Sequence, residues 1–327
     1  MLELQNRTPY AAALVPGLDK TGLETLTVVV KGTFLWTPGQ IEVSPTLPQP
    51  ILFADVFYGE PKTSSVRYEA DTAPAKPGTD VVLVGHACSK RGASELDVML
   101  TAGPVAGVAR VFGERVWYRV LGAWKASDPV PFTRMPLVYE RAFGGEEEPR
   151  NPVGTGILSK RNESGAEEIR LPNVEDPRAL VKNPGERPMP MGFGFVSRAW
   201  APRRGYAGTY DEAWRRERFP FLPDDFDGRF FDAASANLTT PECLRGGEPV
   251  VVTNVLEDGE FRFHVPKRLL GAMISMKGKP TSYVLNLATL LMEPDESRIS
   301  LTWRVTVPCP RSFLYIDFVR IAEEVLS

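Results

Sequence analysis

Prolines and glycines recur along the whole of this chain, 30 and 28 of them, and the runs between them are short and β-branched. Each Pro fixes φ and removes a backbone donor, and each Gly raises the entropy cost of order. Long helices do not survive such punctuation; short strands joined by turns do. The sequence therefore predicts a mainly β protein: antiparallel sheets in sandwich or barrel-like lobes, a long irregular segment, and few short helices. We read one unit over 1–327, β-rich over 1–128, loop- and aromatic-rich over 129–235, and β-rich again over 236–327.

The clearest strand is Leu23 to Trp36, with Leu26, Val28, Val30, Gly32 and Phe34 on one face. A turn at 37–40 and a short return strand at 41–43 follow, then a further strand at 51–58. The stretch 72–79 reads as an extended Pro-rich connection, and 81–88 as a buried strand. Strands at 95–100 and 109–120 come next, with 112–115 as a hairpin turn. The polar stretch 158–169 reads as a loop. Hairpins are expected at 250–265 and at 283–307. In the second, Ile299, Leu301, Trp303, Val305 and Val307 alternate with polar residues, which predicts a strand with one solvent face. Residues 312–327 fit either a strand or a strand turning into a helix.

The densest punctuation lies in Met189 to Phe231, whose 43 residues hold 11 of the chain's 32 aromatics, with seven arginines among them. Exposed rings are costly, so a floppy loop would not carry so many. The segment is expected to be irregular and packed, with guanidinium groups stacked on rings. It either plugs the core or presents a binding face. One helix is credible inside it, from a capping box at Thr209–Glu212 to about Arg218. Tyr, Trp and Arg are the side chains of interface hot spots. On that ground Trp200, Arg203, Arg204, Tyr206, Tyr210 and Trp214 are the expected partner-binding residues.

A net charge of −3 leaves no general basic footprint, so nucleic acid is not an expected partner. No apolar run is long enough for a membrane span, and the N-terminus lacks the pattern of a signal peptide. Cys88, Cys243 and Cys309 are few, odd in number and far apart, which suits free thiols in a reducing compartment; a cytoplasmic location is expected. His86 and Cys88 stand two apart, but no zinc-type spacing accompanies them. No nucleophile elbow, phosphate loop or dinucleotide fingerprint is present, so no catalytic residue, metal or cofactor is expected. The acids Asp224, Asp225 and Asp227 beside the aromatics leave open a carbohydrate-acting hydrolase; the same residues also read as a turn. Glu140 and Arg141 read as ion-pair partners of other segments.

A set of motifs occurs in order along nearly the whole chain. They are Thr8-Pro-Tyr-Ala-Ala12, Val30-Lys-Gly-Thr-Phe34, residues 71–80, and Pro136-Leu-Val-Tyr-Glu-Arg-Ala-Phe-Gly-Gly145. They continue with Asn151-Pro-Val-Gly-Thr-Gly156, Leu171-Pro-Asn173, Gly192-Phe-Gly-Phe195, residues 203–221, and Leu244-Arg-Gly-Gly-Glu-Pro-Val250. The set resembles a family of unknown function encoded in bacterial type VI secretion gene clusters, sometimes fused to pentapeptide repeats. The segment Asp232-Ala-Ala-Ser-Ala-Asn-Leu238 departs from the family's usual Asn-Ala-Ala-Pro-Pro, and without a pentapeptide array the chain looks like a stand-alone member. The resemblance implies an adaptor or chaperone that holds a toxic effector and helps load it onto the secreted spike. Effector and spike would then be its partners. A glycan hydrolase and a purely structural secreted component are the competing classes.

Overall fold

The computed structural model describes residues 3–158 and 168–324. Most of the polar stretch 158–169 and the last residues of the 312–327 segment lie outside the described residues. The largest sheet runs in the order Ala11–Leu18, Glu24–Leu35, Arg298–Pro308, Asn286–Glu293, Asp80–Leu83. Its pairs are antiparallel except the last, where Asp80–Leu83 lies parallel to Asn286–Glu293. A second sheet joins Val174–Glu175, Val105–Phe112, Glu95–Ala102, Pro249–Val252 and Phe261–His264. A third joins Glu3–Asn6, Ile316–Glu324, Leu269–Met276 and Lys279–Val284. None of the sheets closes into a barrel among the described residues. Both β-rich ends of the chain contribute to the same sheets, and one apolar core runs from Leu26 and Phe34 through Leu100 and Phe261 to Leu270 and Ile321.

Several local expectations are revised. Residues 112–115 do not close a hairpin: Val105–Phe112 pairs with Glu95–Ala102, whereas Val116–Val120 pairs with Ala123–Ala126 and Glu168–Arg170 in another sheet. The return strand falls at Ser44–Pro45 rather than 41–43, and only Val56–Phe57 of 51–58 is paired. The buried run 81–88 divides into Asp80–Leu83 and the start of His86–Ala93. Ile316–Glu324 is strand throughout.

The most informative revision concerns Arg298–Pro308. Its polar positions Ser300, Thr302 and Arg304 are as buried as Ile299, Leu301 and Trp303. The connection through residues 46–80 lies across that face and uses its polar groups. Gln49 N donates to Thr33 Oγ1 at 2.8 Å and Ala75 N to Thr306 Oγ1 at 2.8 Å. Asp71 accepts from Lys31 Nζ at 2.9 Å, from Leu52 N at 2.9 Å and from Thr302 Oγ1 at 3.3 Å, and its carbonyl accepts from Arg304 Nε. Alternation thus marks two covered faces, one apolar and one hydrogen-bonded. The polar side chains there stand where an extended, Pro-rich segment needs acceptors and counter-charges.

Candidate functional site: the aromatic segment 189–231

The segment divides at Trp200. Before it, Met191, Phe193 and Phe195 belong to the main core, and the Phe193 carbonyl accepts from Leu83 N at 2.9 Å, extending the edge of the largest sheet. Trp200 is 5% exposed and meets Tyr139 edge to face, with ring centroids 5.5 Å apart. This half is a plug. Beyond Trp200 no ring is fully buried, and Tyr210 and Phe219 are 53% and 67% exposed. The segment's rings are core up to Trp200 and exposed or half-buried beyond it.

Arg203 is the joint between the halves. It opens the short helix Arg203–Tyr206 yet is only 4% exposed. Its guanidinium donates to the carbonyls of Val196 and Phe230 and, at 2.7 Å, to Glu69 Oε1. Arg198 reaches the same Glu69 at 3.2 Å. Trp200 and Arg203, expected at the partner surface, are therefore enclosed: one by packing, the other by carbonyls and a carboxylate that a surface arginine would lack. Arg204, Tyr206, Tyr210 and Trp214 do reach the surface. The Arg204 side chain has no polar partner among the described residues.

Residues 207–227 form a projecting knob. Its helix is Glu212–Glu217, with no buried residue. The cap is Asp211, whose side chain accepts from Trp214 N at 2.8 Å; Thr209, the expected cap, instead donates through its backbone and hydroxyl to Asp225. The Asp211 carboxylate directly before the helix fits the Ncap role, and Thr209 is two residues too early for it. Tyr210, Trp214 and Phe219 form an edge-to-face ladder with centroid spacings of 4.7 and 5.7 Å. Trp214 Nε1 donates to the Phe221 carbonyl at 2.8 Å, which fixes the indole. Phe221 lies across Gly22, where φ is +84° and a Cβ would sit 2.6 Å from the ring, so only glycine fits. Arg218 donates to the Lys20 carbonyl at 2.7 Å, tying the knob to the same turn. Phe219 was not among the expected binding residues; its place between the last helical turn and Pro220 was the available signal.

Between plug and knob is a pocket of about 360 Å³ with Tyr139, Val196, Pro202, Tyr206, Arg229 and Asp232 in its wall. Arg229 stacks on Tyr206 at 4.3 Å from the ring centroid. Burial pushes the Asp232 carboxyl above its ordinary value, opposed by Lys76, whose Nζ is 3.9 Å away.

The acids that suggested a hydrolase are occupied as turn groups. Asp225 holds Thr209, Asp227 caps the turn Gly228–Phe231 and pairs with Arg229, and Asp224 pairs with Arg218 at 3.3 Å. Hydrogen bonds from Arg229 pull the Asp227 carboxyl down to about 2, and the Thr209 amide holds Asp225 low. A glycosidase general acid needs the opposite shift. His86 is engaged by Asp295 at 2.7 Å and by Arg134 at 3.2 Å. Among the described residues no group of three or more His, Cys, Asp or Glu is arranged to hold a metal ion, and no helix is long and apolar enough to cross a membrane. Glu140 accepts from Ser65 N and Oγ, each at 2.7 Å, and Arg141 donates to Asn173 and pairs with Glu114. Arg141 forms an ion pair with another segment as expected, whereas Glu140 is held by Ser65 hydrogen bonds and not by an ion pair; both stand in a 3-10 turn, Tyr139–Arg141.

Comparison with curated proteins and with solved structures gave no match. A family model does match, over residues 21–304, and its description is "uncharacterized protein conserved in bacteria (DUF2169)". The match spans most of the chain and includes both the plug and the knob. The chain belongs to this family.

Proposed function

We propose that this DUF2169 member is a partner-binding accessory protein, an adaptor or chaperone that holds a type VI secretion effector and helps load it onto the spike. The observation that supports binding is the knob: an aromatic ladder with two well-exposed rings, fixed in orientation, beside an unpaired arginine. Exposed aromatics held rigid bury large areas at low entropy cost, and arginine adds directed hydrogen bonds. The secretion context is supported by the ordered motifs from Thr8 to Val250 alone. Arg204, Tyr206, Tyr210, Trp214 and Phe219 are the contact residues in this reading, while Trp200 and Arg203 support them from behind.

The test is affinity capture from a bacterium that encodes the chain, comparing wild type with a Tyr210→Ser/Trp214→Ser/Phe219→Ser variant of unchanged fold. The proposal expects wild type to retain a protein encoded beside a type VI spike gene and the variant to lose it. Capture of that protein by both forms removes the knob from the reading. Capture of no such protein by either form removes the adaptor role.

A further inference from the structure

A second, larger cleft of about 670 Å³ shares no residue with the pocket beside the knob. It opens where Asn286–Glu293 begins, before the parallel partner Asp80–Leu83 has joined it at Thr289. Leu244, Leu285, Leu287 and Trp303 form its apolar floor, and Val284, 54% exposed, stands at its mouth.

The rim is cationic. Arg245 and Lys267 line the cleft and are exposed, and neither side chain has a polar partner among the described residues. The Lys267 stem lies across Gly247, where a Cβ would come within 2.4 Å of its Cε. Arg268 gives Nη1 to Glu323 at 2.9 Å, while its Nε is buried with no partner. Glu242 is the one acid among the lining residues. The buried Arg268 Nε is costly to leave unmatched; the exposed Arg245 and Lys267 are hydrated and free to meet carboxylates beside the apolar floor.

We infer that this cleft is a docking site for an acidic–apolar peptide segment of another protein, its aliphatic or aromatic side chains on the leucine floor and its carboxylates on Arg245, Lys267 and Arg268. The cations come from two separate segments, 245 and 267–268, so they address several carboxylates rather than a single head group. The chain as a whole is acidic, at −3, which makes this local excess of cations a feature of the cleft and not of the surface. The inference is independent of the role assigned to the knob.

The test uses a random-peptide phage library selected on the full chain and counter-selected on Arg245→Glu/Lys267→Glu. Both positions are exposed and unpaired, so this variant keeps the wild-type melting temperature. Val284→Asp, also exposed, probes the floor. Selected peptides should combine Asp or Glu with Leu, Ile or Phe. A synthetic peptide of the selected sequence should lose at least about tenfold in affinity to either variant, and should weaken with added salt. Selection of peptides without acids, or affinity unchanged by both variants, overturns the site. Displacement of the peptide by dodecanoate at lower concentration than by unlabelled peptide assigns the cleft to a lipid-like acid and overturns the peptide assignment.

Discussion

Trp200→Ala and Trp214→Ala test the division of the aromatic segment, because the same truncation is made on either side of the joint. Trp200 is enclosed against Tyr139 and Ala142, and removing an indole from such a site costs about 3–5 kcal/mol. Trp214 lies in a helix with no buried residue; its losses are two edge-to-face contacts and one hydrogen bond to the Phe221 carbonyl. Such contacts amount to about 1–2 kcal/mol at a half-exposed site, and part of that is local to the knob. The unfolding entropy of a chain this long is about 0.7 kcal/mol/K, from roughly 2.1 cal/mol/K per residue. Trp200→Ala should therefore lower the melting temperature by about 4–7 °C, and Trp214→Ala by less than about 3 °C. Differential scanning calorimetry measures both, and partner capture well below the melting range completes the comparison. Trp200→Ala should capture normally while folded, and Trp214→Ala should not. Equal melting shifts, or capture lost in Trp200→Ala and kept in Trp214→Ala, would refute the division at Trp200.

Asp71→Ala should cost about 3–5 kcal/mol in denaturant unfolding, because it leaves Lys31 buried without its carboxylate; a loss under about 1 kcal/mol would show that water or another acid replaces it. For Asp232 the sign follows from burial, which raises its folded pKa above the unfolded value of about 3.9. Ionised Asp232 then weakens the fold at neutral pH, and the penalty fades as pH falls through the folded pKa toward the unfolded one. The stability of Asp232→Asn relative to wild type should accordingly rise from pH 4 to pH 7, and a flat or falling difference would contradict the burial argument. Thiol titration of the denatured, unreduced protein should find Cys88, Cys243 and Cys309 all reactive, since none is in a disulfide.

Much of the β architecture was legible because short β-branched runs between turn residues mark strands whether one face or both are covered. Glu24–Leu35 and the pairs Pro249–Val252/Phe261–His264 and Asn286–Glu293/Arg298–Pro308 stand where β-branched runs flank turn residues. The errors share one cause: a local pattern does not say what lies across from it. Residues 112–115 have turn composition, yet the chain passes between sheets there, because the partners of both flanking strands lie elsewhere. Ser300, Thr302 and Arg304 look like a wet face, yet Asp71 and the 46–80 connection cover them. For the candidate site, the enrichment in rings and arginines singled out the segment. It could not separate Trp200 from Trp214, because the distinction lies in Tyr139, Glu69 and the carbonyls of Val196 and Phe230, all distant in sequence or invisible to side-chain pattern.

These distant groups also explain why the two halves of the segment have different mechanical character. The plug is seated by packing: Phe193 and Phe195 in the main core, Trp200 on Tyr139. Close-packed side chains resist small displacements. The knob has a smaller seat, Phe221 across Gly22 and the buried Pro223. Arg203 holds its base, Arg218 reaches the Lys20 carbonyl, and Lys20 Nζ reaches the Phe226 carbonyl at 3.2 Å. Arg203 is an enclosed anchor, whereas Lys20 is exposed and Arg218 only half-buried, and segments with few apolar contacts open at low free energy. A partner of the kind proposed would meet, at Tyr210 and Phe219, rings held to one another through Trp214. Rings pre-ordered in this way would lose less entropy on binding than free side chains.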